Sequence, residues 1–143
     1  MSAPREVPLV DRRLAEAAES IARRVRKACN GPIAASQLHL AAAMAVPARL
    51  DALENLARHQ IGKGQRSRGR NDLHLWRAVA GIVSGTHEDV GPLRDEFKAD
   101  WDAIAARLVR FVCTEIAWQQ ACDTGSRDTH RRGGAGTGRR GRR

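Results

Sequence analysis

Nowhere in this chain do apolar and polar residues alternate over the length of a strand, whereas apolar residues recur three and four apart in most of the segments between the Pro and Gly breaks of residues 11–121. That period places side chains on one face of a helix and scatters them over both faces of a strand. Residue usage agrees: Ala, Leu, Arg and Glu dominate, Tyr is absent and β-branched residues are sparse. At 143 residues and 42% apolar the chain can bury one core and is too short for two. The sequence therefore predicts an all-α protein. It is expected to be a compact bundle of about five helices over residues 1–122, followed by a disordered Arg/Gly-rich C-terminal tail over 123–143.

The first helix is expected to start at Asp11 as N-cap, to turn Leu14, Ala17, Ala18, Ile21, Val25 and Ala28 inward, and to stop at Asn30-Gly31-Pro32. The second, from Ala34 or Ser36 to Ala45, is apolar nearly all round, as a central helix would be. It ends where Val46 meets Pro47, because a residue before proline is pushed out of the α region. Pro47 opens the third, with Leu50, Leu53, Leu56, Ala57 and Ile61 inward and Gly62 as its end. Asp72 caps the fourth, whose inward face is Leu73, Trp76, Val79, Ala80 and Val83 and which closes at Gly85. The fifth opens at Gly91-Pro92 and runs to about Ala121 through Leu93, Phe97, Trp101, Ile104, Leu108, Phe111 and Val112.

Charge is the second constraint. Lys and Arg number 25 against 16 Asp and Glu, a formal net of +9, and the pI near 11.1 favours an anionic partner, nucleic acid first. Seven Arg against two Asp lie in residues 123–143, a net of +5, which leaves +4 for residues 1–122. The tail is too rich in Gly and too poor in apolar side chains to recover its ordering entropy by burial. Of the cations 22 are Arg and three are Lys, a ratio that could serve phosphate forks but that a GC-rich genome explains better. Cys29, Cys113 and Cys122 form no CxxC and suggest neither a disulfide framework nor a zinc site, which fits a reducing cytoplasm. The first ten residues lack an apolar signal core, and the longest uncharged stretch, residues 33–48, is broken by Ser36, Gln37 and His39. No membrane association is expected.

Catalytic chemistry finds no foothold. His39, His59, His74, His87 and His130 include no HExxH or HxH, and His39, within the apolar second helix, reads as a packed core histidine. Glu88, Asp89, Asp95 and Glu96 form an acidic cluster, but acids favour the positive end of a helix dipole in any case. The glycines at 134, 136 and 138 follow no strand and open no helix, so they lack the setting of a phosphate loop. No catalytic residue, metal site, cofactor or small-molecule substrate is expected.

Three basic features remain. They are the outer face of the first helix with Arg23, Arg24, Arg26 and Lys27; the segment KGQRSRGR, with Lys63, Arg66, Arg68 and Arg70 and neighbouring Arg77; and the tail. Charge opposite an apolar stripe is commonly just a solvated face. Four cations in eight residues without an acid repel one another, and an anion relieves that repulsion, so this segment is the stronger candidate, expected as a mobile loop. Trp76, Trp101, Phe97 and Phe111 fall on core faces. Trp118 is read as core too, with a partner-facing position as its alternative. With aromatics at 3% of the chain, contacts are expected to go to phosphates rather than to stacked bases. Nor does the fourth helix offer a recognition set beyond His74 and Arg77.

Three stretches carry a resemblance: the second helix IAASQLHLAAAMA, the basic KGQRSRGR, and the late helix DWDAIAARLVRFVCTEIAWQQA. Over residues 9–122 the chain resembles the small-subunit family of multi-subunit CRISPR effector complexes, compact and basic proteins of mostly five helices. The resemblance implies a non-catalytic role in an RNA-guided ribonucleoprotein. Several copies would pack along larger backbone subunits and offer a positive track to guide RNA and its target nucleic acid. Two other classes fit the same residues: a DNA-binding regulator or nucleoid-type protein, and a helical protein–protein adaptor using Trp118.

Overall fold

In a computed structural model the backbone is described for residues 3–66 and 72–141, and side chains for 10–63 and 72–123. Among the described residues there are six α-helices and no strand: α1 (Ala3–Ala28), α2 (Ala35–Met44), α3 (Leu50–Arg66), α4 (Asp72–Ser84), α5 (Gly91–Glu96) and α6 (Trp101–Gly141). Short 3₁₀ turns, Pro47–Arg49 and Lys98–Asp100, lead into α3 and α6. The protein is an all-α bundle.

Long-range polar contacts fix the directions of the helices. Arg107 of α6 donates to Asp11 of α1 at 2.9 Å, and Arg26 of α1 pairs with Asp123 of α6, so the two long helices run parallel. Ile33, just before α2, bonds to Gln120, and Ala45, just after it, accepts from Arg110 at 2.9 Å, so α2 runs antiparallel to α6. Helices α3 and α4 pack on each other, and α4 also meets α1 and α6. Leu14, Ile21, Leu53, Trp76, Leu108 and Ile116 are among the largest side chains wholly removed from water. Trp76 keeps its indole N–H satisfied by donating to Gln37 Oε1 at 2.7 Å.

Several expected boundaries move. The first helix begins at Ala3, because Asp11 is not a cap: its carboxylate is taken by Arg107. Gly62 does not end the third helix. No neighbour lies where a Cβ would sit there, and α3 continues through the first half of the expected loop to Arg66. The expected fifth helix is two, broken at Phe97 (φ −111°, ψ 36°), which closes α5 by donating to Leu93 O at 2.9 Å and accepts from the Asp100 N–H at 3.0 Å. Arg13 lies 5.6 Å over the Phe97 ring and pairs with Glu96, holding the corner against α1. The second helix is not central: it buries Leu38 and Ala41 while Ser36, His39, Leu40 and Ala43 face solvent. Its many alanines make it apolar by composition without giving it bulk to bury. His39 is therefore a surface residue rather than a core histidine.

The end of α4 is as expected. Gly85 takes φ +76°, its N–H bonds Ile82 O and the Thr86 N–H bonds Gly81 O, the paired pattern by which a left-handed residue closes a helix. The backbone of α6 remains helical past Cys122, the expected end of the domain, to Gly141. The tail expected to be disordered falls, beyond Asp123, outside the residues whose side chains are described.

Candidate nucleic-acid interface

Because α1 and α6 are parallel, the C-terminal turn of α1 (Arg26, Lys27) lies beside residues 120–123 of α6, from which the Arg-rich segment continues. The N-terminus of α4 is at this same end: the carboxylate of Asp72 acts on the thiol of Cys29, the residue after α1. Helices α3 and α4 pack on each other, and in sequence only residues 67–71 lie between Arg66 and Asp72. The last turn of α1, the N-terminus of α4 and the point of α6 from which the Arg-rich segment continues thus lie at one end of the bundle. Lys63 is exposed on α3, and Arg77 is exposed on α4 about one and a half turns from Asp72. Arg68 and Arg70 lie outside the described residues, as does the side chain of Arg66.

The basic face of α1 is less free than its sequence suggests. Arg23 pairs with Glu19 one turn earlier, Arg24 with Glu88 and at 3.5 Å with Asp89, and Arg26 with Asp123. Lys27, like Arg77, makes no ion pair with another described residue. Exposed pairs of this kind contribute only ~0–1 kcal/mol, so a phosphate competes with the carboxylates at little cost. The acids nevertheless reduce the local charge. Glu88, Asp89 and Glu96, part of the acidic cluster of the sequence, are each engaged by an arginine of α1.

Between these elements lies a polar cavity of about 180 Å³ lined by Arg26, Cys29, Asn30, Gly31, Pro32, Gln120 and Asp123. Gln120 shapes its wall. The Gln120 Oε1 accepts from the Ile33 N–H at 2.7 Å and its Nε2 donates to Ile33 O at 3.2 Å, so one side-chain amide satisfies both backbone groups of a buried residue. The Cys29 thiol donates to Val25 O at 3.2 Å, and burial pushes its pKa up, which keeps it a neutral thiol rather than a nucleophile. A second cavity, of about 410 Å³, lies at the start of α6 between Pro47 and residues 98–103. Among the described residues no group of three His, Cys, Asp or Glu is placed to hold a metal ion.

Trp118 was misjudged by the core reading. It is 65% exposed on α6, while Leu108, Val112 and Ile116 define the buried stripe of the same helix. Standing two residues beyond Ile116, about 200° around the helix, it is turned away from that stripe, and this angle was the signal available in the sequence. Among the described residues no helix is long and apolar enough to cross a membrane.

No family model, no curated protein and no solved structure matches this chain.

Proposed function

We propose that the chain is a non-catalytic small subunit of an RNA-guided CRISPR ribonucleoprotein. It holds guide or target nucleic acid by sequence-independent phosphate contacts at its basic end, and copies of it pack beside larger backbone subunits in the cytoplasm. The observation that carries this reading is that the basic last turn of α1 lies beside residues 120–123 of α6, from which the Arg-rich segment continues. In sequence the basic segment 63–70 ends two residues before Asp72, whose carboxylate acts on Cys29 at that same end. A scattered excess of cations would serve solubility equally well, whereas a gathered one creates a field that an anionic backbone can neutralise.

Substituting Ala at Lys63, Arg66, Arg68 and Arg70 together tests it. If all four contact phosphates, the slope of log binding constant against log salt becomes shallower by about three, at roughly 0.7–0.9 per contact. Circular dichroism should meanwhile report an intact fold, since Lys63 is exposed and none of the four belongs to the buried core described above. Unchanged binding would remove the segment from the proposal. Affinity purification from the native source decides the partner: short RNAs with a repeat-derived end and larger subunits support the assembly. Heterogeneous genomic DNA would support a nucleoid-type protein, and protein without nucleic acid an adaptor.

A further inference from the structure

Trp118 is 65% exposed, while Trp76 and Trp101 are 0% and 9% exposed. The ring stands on α6 five residues before Asp123, about 7.5 Å along the axis from the Arg26–Asp123 pair that marks the basic end. Its surroundings are small or polar. Thr114, Ala117, Ala121 and Cys122 are exposed, and Glu115 accepts from Gln119 at 3.5 Å. A protein partner seeks a desolvated cluster of apolar anchors. This surface offers one flat ring without such neighbours. A nucleobase needs only the face of the ring, and the chain that bears the ring carries a net +9, of which the net +5 of residues 123–143 begins five residues later in sequence.

We infer that Trp118 is a stacking platform for an unpaired base of a single-stranded nucleic acid whose phosphates the basic end holds. The inference rests on the phosphate-binding reading and narrows it. In a duplex each base is already stacked between its neighbours, so an indole on a helix surface has no free base to cover, whereas a single strand offers one at every step. The expectation from composition, that stacking is absent because the aromatics are used by the core, holds for Trp76 and Trp101 and fails for Trp118.

The test is titration of the full-length protein with an oligothymidylate and with an abasic oligonucleotide of the same length, following tryptophan emission. Because Trp76 and Trp101 are buried, emission from a water-exposed indole reports Trp118. The oligothymidylate should quench it, and the abasic strand should bind through its phosphates without quenching. Trp118→Ala should weaken oligothymidylate binding by roughly 5- to 100-fold, the worth of one stacked base. It should leave abasic binding and the salt slope unchanged, and Trp118→Phe should restore part of the loss. Wild-type affinity in Trp118→Ala, beside a weakened Lys63/Arg66/Arg68/Arg70→Ala variant, would overturn the stacking role and leave phosphate binding standing. An equal loss on the abasic strand would make the ring a structural support and also overturn the inference. Failure of both strands to bind at low salt would refute the phosphate-binding reading itself.

Discussion

Replacing Gln120 by Ala removes both bonds by which α6 holds the backbone of Ile33 just ahead of α2. Ile33 is 3% exposed, so the question is whether its N–H and C=O are left dry. Two buried groups without partners would cost ~2–6 kcal/mol, at ~1–3 each, whereas exchange of two protein bonds for bonds to water costs ~1–3 in total. The cavity beside Gln120 decides between them. Its volume of about 180 Å³ far exceeds the ~10–15 Å³ that one water needs, and its lining is polar. The expected loss is therefore about 1–2 kcal/mol. Gln120→Leu, which fills the space without offering a bond, should cost more than Ala by keeping water out. Urea unfolding should give a lower midpoint at unchanged slope, and amide exchange at Ile33 should quicken in both variants. Equal stability of Gln120→Ala and wild type, with Ile33 still protected, would refute the claim that this side chain holds α2 against α6.

The turn between α4 and α5 and the cysteines give two more expectations. Burial pushes the pKa of His87 below 6.5, and the neutral ring accepts the Asp89 N–H at Nδ1, 3.1 Å away. As pH falls the unfolded chain takes up this proton first, so the stability the neutral ring provides is complete above about 6.5 and is lost as pH drops toward the folded value. His87→Asn keeps an acceptor and removes the titration, so its melting temperature should decline less steeply on the acid side than that of wild type. Cys122 is exposed, Cys29 is half-buried, and burial pushes Cys113 up to about 12. Thiol alkylation followed by peptide mass mapping should modify Cys122 fastest and Cys113 only on unfolding.

Where local chemistry sets a boundary, the sequence revealed it. Val46-Pro47 stops α2 within a residue or two of its expected end, and Gly85 closes α4 because only glycine enters the left-handed region there without strain. Period alone served less well. Leu93, Phe97, Trp101 and Ile104 keep helical spacing across the break at Phe97, so nothing in the pattern marked the corner. In α4 the apolar residues surround the helix, and the structure buries Leu75, Ala78 and Ile82, which the expected face left out, while Leu73, Ala80 and Val83 are only half-buried. Local sequence could not disclose that Arg24 meets Glu88 or that Arg26 meets Asp123, partners 64 and 97 residues away. The basic segments were legible as segments. That the last turn of α1 lies beside the start of the Arg-rich segment follows from the parallel course of α1 and α6, which no spacing rule contains.

That parallel course gives the molecule an electric polarity as well as a shape. Because the Arg-rich segment continues from one end of the molecule, the field of a polyanion acts on the two ends unequally, and it would turn an approaching copy so that the last turn of α1 arrives first.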